Sequence, residues 1–130
     1  MKPNELMIGD LVRQKQGMCA GCVLQLTEVH ELEHANNYEP IPITEEILKK
    51  NGFVQVDDGI KQYDSPEGAW QNDKFLYGLD YNHRGMFYTF SNDPEEDGLI
   101  NQIYGIFFVH DLQHCLRLCE LSDLADNFKV

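Results

Sequence analysis

Between positions 8 and 30 the apolar residues fall into two runs, Ile8-Gly9-Asp10-Leu11-Val12 and Cys22-Val23-Leu24-Gln25-Leu26-Thr27-Glu28-Val29. Lys15, Gln16, Gly17 and Gly21 separate them, and this pattern predicts two strands joined through a turn region. Residues 31–39 are acidic and polar, carry His34 and the pair Asn36-Asn37, and read as a loop with room for a short strand. A helix is predicted over 44–51. Pro40 and Pro42 hold its entry extended, Thr44 can cap the first free amides, and Glu45 and Glu46 sit where the helix dipole favours acids. Lys49 and Lys50 suit its last turn, and Gly52 suits a left-handed stop.

Beyond Gly52 the pattern shortens to strands. Phe53-Val54-Gln55-Val56 and Ile60-Lys61-Gln62-Tyr63 flank Asp57-Asp58-Gly59, a hairpin signal. Further strands are expected around Trp70, at Phe75-Leu76-Tyr77 and at Met86-Phe87-Tyr88-Thr89-Phe90. The run from Leu99 to Val109 is apolar on both alternating faces and predicts a central, doubly buried strand. A helix is predicted from Val109 to Leu121, with Val109, Leu112, Cys115, Leu116 and Cys119 on one face, about 100° being turned per residue. Ser122-Asp123-Leu124-Ala125-Asp126 can add a further turn. The expected architecture is α+β in a single domain over 1–130: a β-hairpin region 1–39, a helix 44–51, a strand-rich part 53–108 and a C-terminal helix 109–121. The sheet should be mostly antiparallel with the short central helix and the C-terminal helix packed on it.

Composition changes this picture at one point. The apolar share of 42% and charged share of 25% are ordinary for a globular chain. No apolar stretch reaches the ~18 residues of a membrane helix. The opening Met1-Lys2-Pro3-Asn4-Glu5-Leu6 lacks the apolar run of a signal peptide, so a soluble, cytoplasmic protein is expected. The net charge of −12 is unusual. It argues against direct nucleic-acid binding and against an anionic membrane surface, and leaves a neutral ligand, a basic protein partner or plain solubility.

Three segments carry a resemblance. They are Lys2-Pro3-Asn4-Glu5-Leu6 with Ile8-Gly9-Asp10-Leu11-Val12, Pro40-Ile41-Pro42-Ile43-Thr44-Glu45-Glu46 through Gly52-Phe53, and Val109-His110-Asp111-Leu112-Gln113. Together the chain resembles small uncharacterised proteins of Bacteroidetes genomes, phages and mobile elements. The resemblance implies a phage or mobile-element origin, a setting rich in accessory and anti-defence proteins, and assigns no activity and no site. That group carries apolar residues where this chain has Cys115 and Cys119, and asparagine at the position of His114. Any site built on those three residues would be particular to this chain.

Cys19-Ala20-Gly21-Cys22 has the spacing of a metal or redox pair. Completing a zinc site would take Cys115 and Cys119, one helical turn apart, yet both fall on the stripe the helix needs for its core. A redox pair of the thioredoxin kind should open a helix after a strand, whereas this one lies in a turn between strands. His110-Asp111-Leu112-Gln113-His114 approaches H-E-x-x-H, but aspartate is one methylene short and no third ligand follows, so a surface histidine pair is expected. Asp93, Glu95, Glu96 and Asp97 cluster without the ligand alternation of a calcium loop and read as a solvated turn. Trp70, Tyr77, Tyr81 and Tyr88 are the candidates for an aromatic recognition patch, although core packing accounts for each singly. A strand edge around 84–90 could support a homodimer; otherwise a monomer is expected. The function expected is a non-enzymatic acidic accessory protein acting by protein–protein interaction. Its partner would be basic, with a nucleic-acid-binding host or defence protein as the partner class. Zinc binding through Cys19, Cys22, Cys115 and Cys119 is the alternative; no other cofactor is expected.

Overall fold

A computed structural model describes residues 1–56, 69–72, 75–79, 84–90 and 99–130. Two antiparallel sheets and flanking helices give an α+β fold. Backbone contacts divide the chain into two compact units, one made of residues 1–43 and 108–130, the other of 44–107.

The first unit holds a three-stranded sheet in the order β2-β1-β3. β1 (Leu11–Gln14) pairs with β2 (Val23–Gln25) in the register Leu11↔Gln25 to Arg13↔Val23, and with β3 (Tyr38–Glu39) through Gln14↔Tyr38. The predicted first strand therefore starts three residues late. Gly9 has φ +95 and its amide donates to Leu26 O, so residues 7–10 form a turn instead. The second predicted strand ends at Gln25, and its expected end at Val29 together with the start of the 31–39 segment forms a short helix, α1 (Val29–Glu33), whose first turn is tied by Glu31 accepting from the Thr27 and Glu28 amides. Leu6, Val12, Leu26, Ala35 and Tyr38 form a core cluster, with Met1, Leu24 and Leu32 packed on it.

α3 (Val109–Leu118) and α4 (Ser122–Asp126) complete this unit, and α3 packs on β1. Pro42 bridges to Phe108, and the Val109 amide donates to Ile41 O, which sets the start of α3. The expected stripe is present: Val109, Leu112, Cys115 and Leu116 are buried and Cys119 is half-buried. Burial continues onto the polar side, where His110 is 3% and Gln113 0% exposed. The histidines are thus no surface pair, because the 7–10 turn and α4 bond to that flank of the helix.

The second unit begins with α2 (Glu45–Lys50), capped by Thr44 Oγ1 accepting from the Ile47 amide and closed by Gly52 at φ +82. Its sheet runs β4 (Val54–Val56), β5 (Ala69–Asn72), β6 (Phe75–Leu79), β7 (Gly85–Phe90) and β8 (Leu99–Tyr104), each pairing with the next. β4 pairs with β5 through Gln55↔Trp70; the strand expected at Ile60–Tyr63 lies outside the described residues. β8 ends the strand order and Tyr104 is 51% exposed, so it is not the central strand expected. That role falls to β6, where Phe75, Leu76, Tyr77 and Gly78 are buried in succession. β7 pairs on both sides, with β6 and β8, and offers no free edge for a dimer. Among the described residues no helix is long and apolar enough to cross a membrane.

Candidate functional site

Asp10 is wholly buried, yet it is a charged residue at the end of a turn. The turn itself supplies one donor, since the Met7 amide donates to Asp10 Oδ2 at 2.7 Å. α3 supplies the others. Arg117 Nη1 donates to Oδ1 at 2.6 Å, and His114 Nε2 lies 2.7 Å from Oδ2. Both carboxylate oxygens are engaged, which is the condition for burying such a group. Positions 110, 114 and 117 recur at helical spacing, so one flank of α3 presents all three side chains. Gly9 is needed beside them, because a Cβ there would stand 2.6 Å from Arg117 Nη2 and 2.8 Å from Asp126 Oδ1.

Gln113 locks the same turn from below. Its Oε1 accepts from the Leu11 amide, while Nε2 donates to Gly9 O at 3.0 Å and to Ala125 O at 2.9 Å. One side chain thus satisfies three backbone groups drawn from the turn, β1 and α4.

His114 is only a quarter exposed, and the cleft it lines, of about 310 Å³, is also bordered by Met1, Asn4, Glu5, Pro40, Phe108, His110 and Asp111. The wall carries two carboxylates, and among the described residues no lysine or arginine lines it. Asp111 Oδ2 accepts from the Phe108 amide and so also starts α3. The His110 ring stacks on Phe108 with centroids 5.9 Å apart and meets His114 edge-on at 5.7 Å. Burial pushes the His110 ring below the ordinary imidazole range, against the upward pull of Asp111 and Asp10. Its Nε2 lies 3.3 Å from Asp111 Oδ1, and its buried Nδ1 has no hydrogen-bond partner among the described residues. An unsatisfied buried acceptor costs about 1–3 kcal/mol and marks a place where the fold is not optimised for stability alone. The described lining offers two carboxylates and two imidazoles, groups that can bind a cation, exchange a proton or act as nucleophiles.

The other candidates are dispersed. Cys19 and Cys22 are exposed between β1 and β2, Cys115 is buried in α3, and Cys119 is half-buried at its end. Burial pushes the Cys115 thiol up to about 12 and raises Cys119 as well. Among the described residues no three His, Cys, Asp or Glu side chains gather to hold a metal. Trp70 and Tyr77 are buried, with Lys49 Nζ 5.8 Å from the Trp70 ring centroid and the Tyr77 hydroxyl donating to Ile106 O. These two belong to the interior of the second unit. Tyr81, Asp93, Glu95, Glu96 and Asp97 lie outside the described residues, and of Tyr88 only the backbone, in β7, is described.

Asp10, Gln113 and Arg117 escape a reading of the sequence. Asp10 sits in an apolar run that mimics a strand, and nothing local marks its partners more than a hundred residues away. The near-motif at 110–114 is the one signal that points to this flank of α3, though for zinc and not for the network found. Comparison with protein-family models, with curated proteins and with solved structures finds no match to this chain.

Proposed function

We propose that this chain is a non-enzymatic interaction protein that binds a basic partner, and that the cleft beside α3 receives a lysine or arginine side chain from it. The observation that carries the reading is the cleft wall. Glu5 and Asp111 offer carboxylates to a cation, Phe108 offers a ring, and among the described residues no lysine or arginine lines the space. The net charge of −12 supports it, since a broadly acidic protein attracts a basic surface before contact and gains association rate from doing so. The resemblance to small phage and mobile-element proteins supports an accessory role, with a basic nucleic-acid-binding host or defence protein as the partner class.

The test is a titration with an arginine- and lysine-rich peptide, followed by calorimetry at several salt concentrations. Affinity should fall steeply as salt screens the charges. Glu5→Lys should weaken binding by about tenfold, a favourable ion contact being replaced by a repulsive one. Glu120→Lys, an exposed reversal away from the cleft lining, should change it far less. Affinity independent of salt, or equal losses in the two variants, would remove the cleft from the proposal.

A further inference from the structure

The exposed cysteine pair is untouched by the cleft, and both its thiols are open to solvent, whereas Cys115 is buried and Cys119 half-buried. The Cys22 amide donates to Cys19 O at 2.9 Å, which closes a four-residue turn. The ends of such a turn lie within about 7 Å of one another, close enough for both thiols to meet one ion. Ala20 and Gly21 form its corner, and Gly21 has φ +86, a conformation that glycine adopts without strain. The turn is anchored from three sides. The Gly21 amide donates to Gln14 O, the Gln14 amide donates to Cys22 O, and Arg13 Nη1 donates to Gly21 O at 3.1 Å. Both cysteines are free and exposed, and Met18, next to Cys19 in the same loop, is fully exposed.

We infer that the Met18–Cys22 loop is a binding site for a soft monovalent d10 cation, Cu(I) or Ag(I). The ligand count decides between metals. Zinc asks for four ligands in a tetrahedron, and no third His, Cys, Asp or Glu among the described residues joins the pair. A soft monovalent ion is content with two thiolates, and thioether sulfur is of the kind it selects. On binding, each of the two thiols loses its proton to solvent and each sulfur forms one bond to the ion; no electron is transferred. Cys115 and Cys119 take no part, because they lie on and at the end of α3, Cys115 buried in its core face, and neither gathers with the exposed pair among the described residues.

The experiment is anaerobic titration of the reduced full chain with Cu(I), in the presence of excess glutathione and a chromophoric Cu(I) chelator, read by native mass spectrometry and by chelator absorbance. One equivalent per chain should bind and survive the glutathione. Cys19→Ser and Cys22→Ser should each abolish that retention while their thermal melts stay at the wild-type value, as expected for exposed positions. Met18→Leu should weaken binding by about tenfold, and Cys119→Ser should leave it unchanged. Three outcomes would overturn the assignment: metal surrendered fully to glutathione, retention surviving both serine variants, or one zinc ion held in preference to Cu(I). Formation of a Cys19–Cys22 disulfide by exchange with oxidised glutathione, which is reduced to two thiols, in a chain that takes up no Cu(I) would replace it with a redox pair.

Discussion

Asp10 shows how much a single buried charge commits the residues around it. Its carboxylate is matched by Arg117, His114 and the Met7 amide, so truncation leaves a guanidinium that is itself only 12% exposed with the longer contact to Asp126 Oδ1 at 3.4 Å. Asp10→Ala should therefore cost about 3–5 kcal/mol, read as a fall in the denaturation midpoint at unchanged slope. His110 sets a pH dependence whose sign can be worked out. Burial disfavours the charged ring in the fold, while the unfolded chain protonates it at its ordinary value. Stability from this residue is complete above about pH 6.5 and is lost as the pH falls below it, because the unfolded state then binds the extra proton. Asp111, Asp10 and Glu5 oppose the shift and His114 adds to it. His110→Phe keeps a ring beside Phe108 and removes the titration. Its melting temperature should change less than that of the wild type between about pH 7.5 and pH 5.5. An identical pH profile in the variant would assign the dependence to another group.

At the scale of elements, legibility tracked how local the cause was. α2 was readable almost to the residue, because the prolines, Thr44, the two acids, the two lysines and Gly52 all act within one short segment. Thr44→Ala should cost about 1 kcal/mol by removing the bond to the Ile47 amide, measured as a shift in thermal stability. α3 was readable from its apolar stripe, but its opposite flank was misread as surface because the residues that bury it are remote in sequence. The same limit explains β8. Apolar residues on both faces look alike in an edge strand and a central one, and only the order of pairing tells them apart. Gly85, at the start of β7, marks a backbone contact no pattern reveals. A Cβ there would lie 1.8 Å from Ile106 O, and Gly85 O accepts from the Gly105 and Ile106 amides. Main chain cannot yield as a side chain can, so Gly85→Ala should destabilise the sheet by about 2 kcal/mol or more, visible as early loss of amide protection in β6 and β7.

For the whole molecule, the fold class followed from grouped strands and a late helix, whereas the division into two units did not. It arises because residues 108–130 belong with 1–43, and no composition shift near position 43 or 108 announces that. The candidate site was legible only as a helix segment rich in histidine; its carboxylate partner and its cleft depend on that return of the chain. The return also imposes an order in time. Asp10 leaves the ribosome 107 residues before Arg117, the cation that neutralises it. At about 5–20 residues per second the nascent first unit waits roughly 5–20 s with its central charge unmatched. The second unit, uninterrupted in sequence, has all of its strands available before that wait ends. Residues 108–130 thus act as the key that closes residues 1–43, and a stall in translation between the two segments leaves the strands of the first unit exposed.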